Sequence, residues 1–159
     1  MQAATDEAGR VFREAWIAGV RKNFPGEPKP GYVTPWDNTP DWERQAAAAV
    51  YSQVQAFVQL SAGNTARLTR EQKSRFVATC WIAQIYKHIP DPKPAYVADW
   101  DQLPEWQQQT DADIFEHIEN QPPVGLWLSC STAFRQCARH SRAVRSLALL
   151  PHSSASGTA

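Results

Sequence analysis

Hydrophobic residues recur through most of the chain at the three- to four-residue spacing of amphipathic helices, and proline-rich segments separate these stretches. The pattern predicts a helix over residues 6–23, a second from Pro40 to about residue 62, a third over about 69–88 and a fourth that begins at Pro104 and ends before Pro122. The chain is therefore expected to be mainly α-helical.

Local signals mark where two of these helices begin. Thr39 followed by Pro40 is typical of an N-cap residue and the first helical position. Thr69 and Gln72 match a capping box, in which each residue satisfies a backbone N–H near the other.

Proline clusters follow the first and third helices and end them. Each cluster leads into a tyrosine and a valine, Tyr32-Val33 in the first loop and Tyr96-Val97 in the second. We expect these two pairs to form short extended segments that pair with each other.

The second half of the chain repeats the first. Equivalent residues are 65 positions apart before the proline-rich loops and 64 positions apart after them, so the copies differ by one loop residue. The pattern predicts two helix–loop–helix units packed about a pseudo-two-fold axis. The matching residues are Trp16-Ile17-Ala18, Tyr32-Val33, Trp36-Asp37 and Trp42 in the first copy, and Trp81-Ile82-Ala83, Tyr96-Val97, Trp100-Asp101 and Trp106 in the second.

The repeat also predicts the organisation of the chain. Residues 1–63 form the first repeat and 64–121 the second, together making one compact domain, and residues 122–159 form a separate C-terminal tail. The apolar faces of the four helices supply the predicted core, which comprises Phe12, Trp16, Val20, Val50, Val54, Phe57, Phe76, Val77, Trp81, Ile85, Ile114, Phe115 and Ile118.

Charged residues are unevenly distributed along the chain. Residues 1–119 hold all 16 acidic residues and 12 of the 16 basic ones, a net charge of −4, whereas residues 120–159 carry +4 and no acid. The tail is predicted to be partly disordered. Its arginines suggest contact with nucleic acid, against the alternatives of an ordinary solvated helix face or an accidental C-terminal extension. These arginines are Arg135, Arg139, Arg142 and Arg145.

Three features bear on location. The chain has three cysteines, which favours reduced thiols over a disulfide framework. Its acidic N-terminus lacks the apolar segment of a signal peptide, and its apolar runs are shorter than the ~18 residues of a membrane span. We expect a cytoplasmic protein with no membrane partner.

The fourth helix carries the densest group of titratable residues. Asp111, Asp113, Glu116 and Glu119 lie at helical spacing together with His117. Such a group suits a metal-dependent enzyme, and the alternative is an acidic face exposed to water. Common catalytic signatures are otherwise missing from the sequence, and we predict no catalytic residue, metal ligand or cofactor.

The paired Trp-Asp-x-x-Pro-x-Trp blocks are the strongest motif. In one interpretation the second tryptophan of each block folds back on the first, which makes the pair a structural clamp between loop and helix. In the other interpretation the blocks form an aromatic groove with the aspartates as polar anchors.

The second copy resembles the ryanodine-receptor repeat, a tandem helical domain. The resemblance rests on Trp81 and Lys87, on Pro94-Ala95-Tyr96-Val97, on Trp100-Asp101-x-Leu103-Pro104-Glu105 and on Asp111. The sequence departs from that family at Lys93, and the first copy has Ala47 where the second has Asp111. The resemblance implies two quasi-symmetric helical halves, as found also in small actinobacterial and phage proteins, and an interaction or ligand-sensing function.

These observations favour a non-enzymatic binding module that holds a peptide or a small planar, nucleotide-like ligand. Anion contacts are predicted at Arg21, Lys22 and Lys87. The predicted ligand-binding residues are Tyr32, Trp36, Asp37 and Trp42 with their counterparts Tyr96, Trp100, Asp101 and Trp106.

Overall fold

The computed structural model describes residues 2–122, and four α-helices make up most of this range. They are α1 (Gln2–Asn23), α2 (Asp41–Leu60), α3 (Arg70–His88) and α4 (Glu105–Glu119). Within residues 2–122 the structure contains no β-strand. The prediction of a mainly α-helical chain is confirmed.

The four helices enclose a hydrophobic core. α1 packs against α2 and α4, and α3 packs against α4 and α2. The predicted core residues lie in it: Trp16, Phe57, Phe76 and Trp81 are partly buried, and the rest are buried. Tyr51 and Ala46–Ala48 of α2 are also buried, although the spacing did not mark them as core.

The two predicted helix starts have different outcomes. In α3 the capping box forms, because Thr69 Oγ1 accepts the Gln72 N–H while Gln72 Oε1 accepts the Thr69 N–H. In α2 the predicted Thr39 cap is wrong. Pro40 occupies the N-cap position, and the Thr39 hydroxyl instead donates to the Pro35 carbonyl at 3.0 Å.

The two predicted extended segments are also wrong. The proline-rich loops form 3-10 turns at Pro30–Val33 and Pro94–Tyr96, each opened by its proline. The Tyr32 N–H donates to the Lys29 carbonyl and the Tyr96 N–H to the Lys93 carbonyl, at 2.9 and 2.8 Å. Since the fixed φ of proline suits the start of such a turn, the backbone closes locally and leaves no strand to pair.

The described residues all fall within one compact unit, Met1–Val124. The boundaries 1–63 and 64–121 of the two repeats stay a prediction. The predicted tail and its four arginines lie outside the described residues. Among residues 2–122, no helix combines the length and apolar character that crossing a membrane requires, and the cytoplasmic location stays a prediction.

Candidate functional site: an aromatic cavity between the helices

A cavity of about 390 Å³ opens between the four helices and the two proline-rich loops. Its mouth is lined by the exposed Gly31, Ala95 and Tyr96, and its deeper wall by buried residues that include Val77 and Asp111. The cavity therefore reaches from solvent into the core. Its aromatic lining consists of Phe12, Trp16, Tyr32, Trp42, Trp81, Tyr96 and Trp106.

The structure divides the eight predicted ligand-binding residues into two groups. Four of them line the cavity: Tyr32, Trp42, Tyr96 and Trp106. The other four, which are the first tryptophan and the aspartate of each block, lie outside its lining: Trp36, Asp37, Trp100 and Asp101.

Trp36 lies in the first loop and packs against α1. It is only 6% exposed and lies so close to Gly9 that a side chain at position 9 would overlap its ring. Arg10 and Arg44 approach the ring with their guanidinium groups about 6 Å from its centre. Arg10 also forms an ion pair with the exposed Asp37 at 2.9 Å.

Trp100 makes an equivalent set of contacts with α3. The Arg75 guanidinium lies 4.1 Å from the centre of its ring and pairs with the exposed Asp101 at 2.6 Å. The Trp100 indole N–H donates to Ser74 Oγ at 2.6 Å. Thus both aspartates proposed as ligand anchors bind arginines at the surface.

Sequence reasoning missed these two arginines. Arg10 and Arg75 are 65 positions apart, which is the offset that relates the first and third helices. The tryptophan blocks alone do not include these arginines. An alignment of α1 with α3 at this offset places them at equivalent positions. The contacts they make anchor each loop to the helix that precedes it.

The second tryptophan of each block does not fold back on the first, so the predicted clamp is wrong in this detail. The ring of Trp42 faces His88 of α3, with 6.4 Å between centres. Trp106 lies within 5.0–6.1 Å of Trp16, Phe24 and Tyr32. Both tryptophans occupy the first turn of their helix, and that position directs them to the opposite half of the chain and into the cavity wall.

Asp111 is the unexpected residue in this wall. It is 5% exposed, and its carboxyl group forms no hydrogen bond or ion pair with any described residue. Burial raises the pKa of Asp111 well above its ordinary value, because no nearby donor or positive charge compensates for the lost hydration. An unpartnered buried carboxyl group is costly, and its presence is typical of a functional position.

The other two charged groups of the cavity neutralise each other. Arg13 Nη1 donates to Glu43 Oε1 at 2.8 Å, and the Arg13 side chain is 7% exposed. Its remaining N–H groups donate to the carbonyls of Thr34 and Gly31 in the first loop, at 3.0 and 3.4 Å. Burial lowers the pKa of Arg13 and raises that of Glu43, in each case against the attraction of the partner.

The remaining acids of α4 form ion pairs. Asp113 accepts from Lys22, Asn23 and Arg70, and Glu116 from Arg70. Glu119 accepts from the buried Lys73 at 2.7 Å. The interpretation of this helix as an acidic face exposed to water is therefore wrong for Asp111, which is buried. Within residues 2–122, no three His, Cys, Asp or Glu side chains come together as a metal would require.

The three predicted anion contacts lie apart from the cavity lining. Lys22 binds Asp113 at 2.9 Å, and its positive charge is thereby engaged in joining α1 to α4. Arg21 and Lys87 are exposed.

Comparisons of this chain with models of protein families, with curated proteins and with solved structures found no match. The resemblance to the ryanodine-receptor repeat stays a prediction.

Proposed function

We propose that this protein is a non-enzymatic binding module that holds a small planar ligand in the aromatic cavity. The observation that carries the proposal is the joint presence of seven aromatic rings and one unpartnered carboxyl group in the lining of one cavity. Apolar, aromatic walls with few polar groups are typical of pockets for small organic molecules, since the walls supply contact area and the polar groups fix orientation.

The size of the cavity favours a small molecule over a peptide segment. Its volume of about 390 Å³ lies near the lower end of the ~300–1,000 Å³ typical of small-molecule sites. A peptide would reach this space with one side chain and would need a further groove for its backbone.

The arrangement of the lining supports a paired origin of the site. It contains both members of three pairs of identical aromatic residues related by the sequence repeat: Trp16 and Trp81, Tyr32 and Tyr96, Trp42 and Trp106. We infer that the two halves pack about a pseudo-two-fold axis and that the cavity lies between them. In this interpretation the second tryptophan of each half completes the wall of the other.

The test is a titration of the full-length protein with indole, adenosine and benzoate, followed by intrinsic tryptophan fluorescence and by the unfolding temperature. Four tryptophans line the cavity, so a bound planar molecule is expected to change the emission in a saturable way and to raise the unfolding temperature. The absence of any response to indole, adenosine and benzoate, and also to the planar cation benzamidine, would contradict the proposal.

A blocking variant locates the binding. Gly31 lines the mouth, and a Cβ atom placed there meets no atom within 4 Å. Gly31→Phe is therefore expected to fill the mouth without disturbing the fold and to weaken binding at least about tenfold, whereas Gly31→Ala retains it. Equal affinity in both variants would place the ligand elsewhere.

A further inference from the structure

The charges that face the cavity do not cancel. Arg13 and Glu43 form an ion pair at its wall, so together they contribute no net charge. Asp111 has no such partner among the described residues. When Asp111 is ionised, the charge left to be balanced in this cavity is therefore negative.

Packing does not explain why an aspartate occupies this position. In the first half of the chain the equivalent residue, 64 positions earlier, is Ala47. Ala47 is also buried and also lines the cavity. A small apolar residue thus fills the equivalent place on α2, and the carboxyl group of Asp111 is an addition that folding does not require.

The aromatic walls favour the same sign of ligand. The face of an indole or phenol ring carries partial negative charge, which attracts a cation lying within about 6 Å of the ring centre. Arginines already use this attraction at Trp36 and Trp100, which lie outside the cavity lining. Inside the cavity, four indole and two phenol rings surround a space in which Asp111 provides the carboxyl group.

We propose that the cavity takes a small organic cation of the aryl-amidinium class, whose N–H groups donate to Asp111 while its planar body lies against the indole rings. The inference rests on the proposed function and adds the charge of the ligand and the residue that selects it. A bound cation would also supply the positive charge that keeps the buried carboxyl group ionised.

Three probes of nearly equal shape test this charge selection. Benzamidine is a planar cation at neutral pH, benzamide is its neutral analogue and benzoate its anionic one. Isothermal titration of the full-length protein is expected to give the order benzamidine, benzamide, benzoate, with at least about tenfold between the first two, since a hydrogen bond between two charged groups is stronger than one with a neutral partner.

Two variants assign the selection to Asp111. Asp111→Asn keeps the shape of the side chain and removes its charge, and Asp111→Ala copies the residue found at position 47. Both are expected to reduce the preference for benzamidine over benzamide to less than about twofold. Asp91→Asn is the matched control, because Asp91 is exposed in the loop after α3 and does not line the cavity.

The outcomes separate the two proposals. Binding of benzamide as tight as that of benzamidine, or an unchanged preference in both Asp111 variants, would overturn the inference and leave the proposed function standing. Binding of none of the three probes, and of neither indole nor adenosine, would contradict the proposed function itself. A thermal unfolding curve for each variant shows that any loss of binding occurs in folded protein.

Discussion

At the scale of single residues, Asp111 occupies an environment that does not suit a charged side chain. Its carboxyl group is buried in an apolar wall and has no partner among the described residues. A group of this kind lowers the free energy of unfolding, because the charge must lose its hydration or the group must take up a proton. Such a cost is retained where the residue has a function, and it makes Asp111 a site at which stability and binding are expected to conflict.

Replacing Asp111 with alanine is expected to stabilise the protein. At neutral pH the gain should be about 1–3 kcal/mol in the free energy of unfolding, measured by urea denaturation followed by tryptophan fluorescence. Asp113→Ala on the same helix is the contrasting variant: it removes a carboxylate that accepts from Lys22 and Arg70 and is expected to destabilise. A loss of stability in Asp111→Ala would mean that the carboxyl group has a structural partner.

The gain should depend on pH. The pKa of Asp111 is raised in the folded chain by burial, so between its unfolded value near 3.8 and its folded value only the folded state holds the proton. Stability from this group is therefore fully present below about pH 3.8 and is lost as the pH rises through the folded pKa. The difference between Asp111→Ala and the native chain should be smallest in acid and grow with pH; Arg13 and Glu43 titrate in both proteins and cancel. A difference independent of pH would show that burial does not raise the pKa of Asp111.

At the scale of elements, close contact between helices depends on two small residues of α1. A Cβ atom at Gly9 would lie 2.3 Å from the ring of Trp36, and one at Gly19 would lie 2.7 Å from Thr110 of α4. Helix α1 therefore approaches the first loop on one turn and α4 on another only because these positions lack side chains.

Gly9→Ala tests this contact. Alanine favours a helix by about 1 kcal/mol over glycine, but forcing a methyl group into a packed ring costs ~1–3 kcal/mol. The carbonyl of Arg44, 3.1 Å from the same Cβ position, limits how far the ring can move. We therefore expect a lower free energy of unfolding in urea. Gly31→Ala, where the Cβ atom meets open space, should leave it nearly unchanged; an equally stable Gly9→Ala would show that α1 can shift.

The side chain of Arg13 links α1 to the first loop and to α2. All three guanidinium nitrogens of Arg13 donate hydrogen bonds, one to Glu43 and two to carbonyls of the first loop. Because burial shifts the pKa of both Arg13 and Glu43 toward the neutral form, the pair is expected to fix geometry more than it stabilises the fold.

Arg13→Met is expected to destabilise by ~3 kcal/mol, since it leaves Glu43 and the loop carbonyls without their partner. The double variant Arg13→Met with Glu43→Leu should recover much of that loss, because it removes the unpaired charge as well. The measurement is a double-mutant cycle from urea denaturation. A double variant as unstable as the sum of its single changes would mean that the two side chains act independently.

The sequence predicts these elements well where one interaction decides and poorly where several compete. The spacing of Ile114, Phe115 and Ile118 alone determines which face of α4 is buried, and the Thr69 capping box is a local pattern. At Tyr32 and Tyr96 the aromatic side chains favour a strand, but the preceding prolines close a turn first. The Thr39 hydroxyl group could cap α2 or form a hydrogen bond within the preceding turn, and it donates to the Pro35 carbonyl of that turn.

The candidate site shows the same limit. The repeat is sufficient to single out Tyr32, Tyr96, Trp42 and Trp106, which meet at the cavity. The repeat does not distinguish these four residues from Trp36 and Trp100. The packing of Trp36 on Gly9 and the contact of Trp100 with Arg75 depend on which side of each turn faces a helix. Asp111 was grouped with neighbouring acids, and only the packing of α4 shows that it points away from the cations that bind them.

At the scale of the whole molecule, the residues of the cavity lie between Phe12 and Asp111, inside the compact unit Met1–Val124. Residues 1–119 carry 12 basic and 16 acidic groups, and a net charge of −4 favours the approach of cations. The fold and the charge of this unit thus agree with the proposed ligand.

Removal of residues 125–159 is expected to leave the cavity and its binding intact. A chain ending at Val124 should bind benzamidine within about threefold of the affinity of the full chain, because no lining residue is lost. Isothermal titration of the two chains makes the comparison. A loss of binding beyond about tenfold would show that the removed residues take part in the site.

The most direct test of the central claim observes the tryptophans one by one. Nuclear magnetic resonance of the indole N–H groups is recorded while the full-length protein is titrated separately with indole and with benzamidine. A ligand in the cavity should shift the signals of Trp16, Trp42, Trp81 and Trp106, and leave those of Trp36 and Trp100 in place because these two rings lie outside the lining. Shifts at Trp36 and Trp100 instead, or no shift with either compound, would contradict the account.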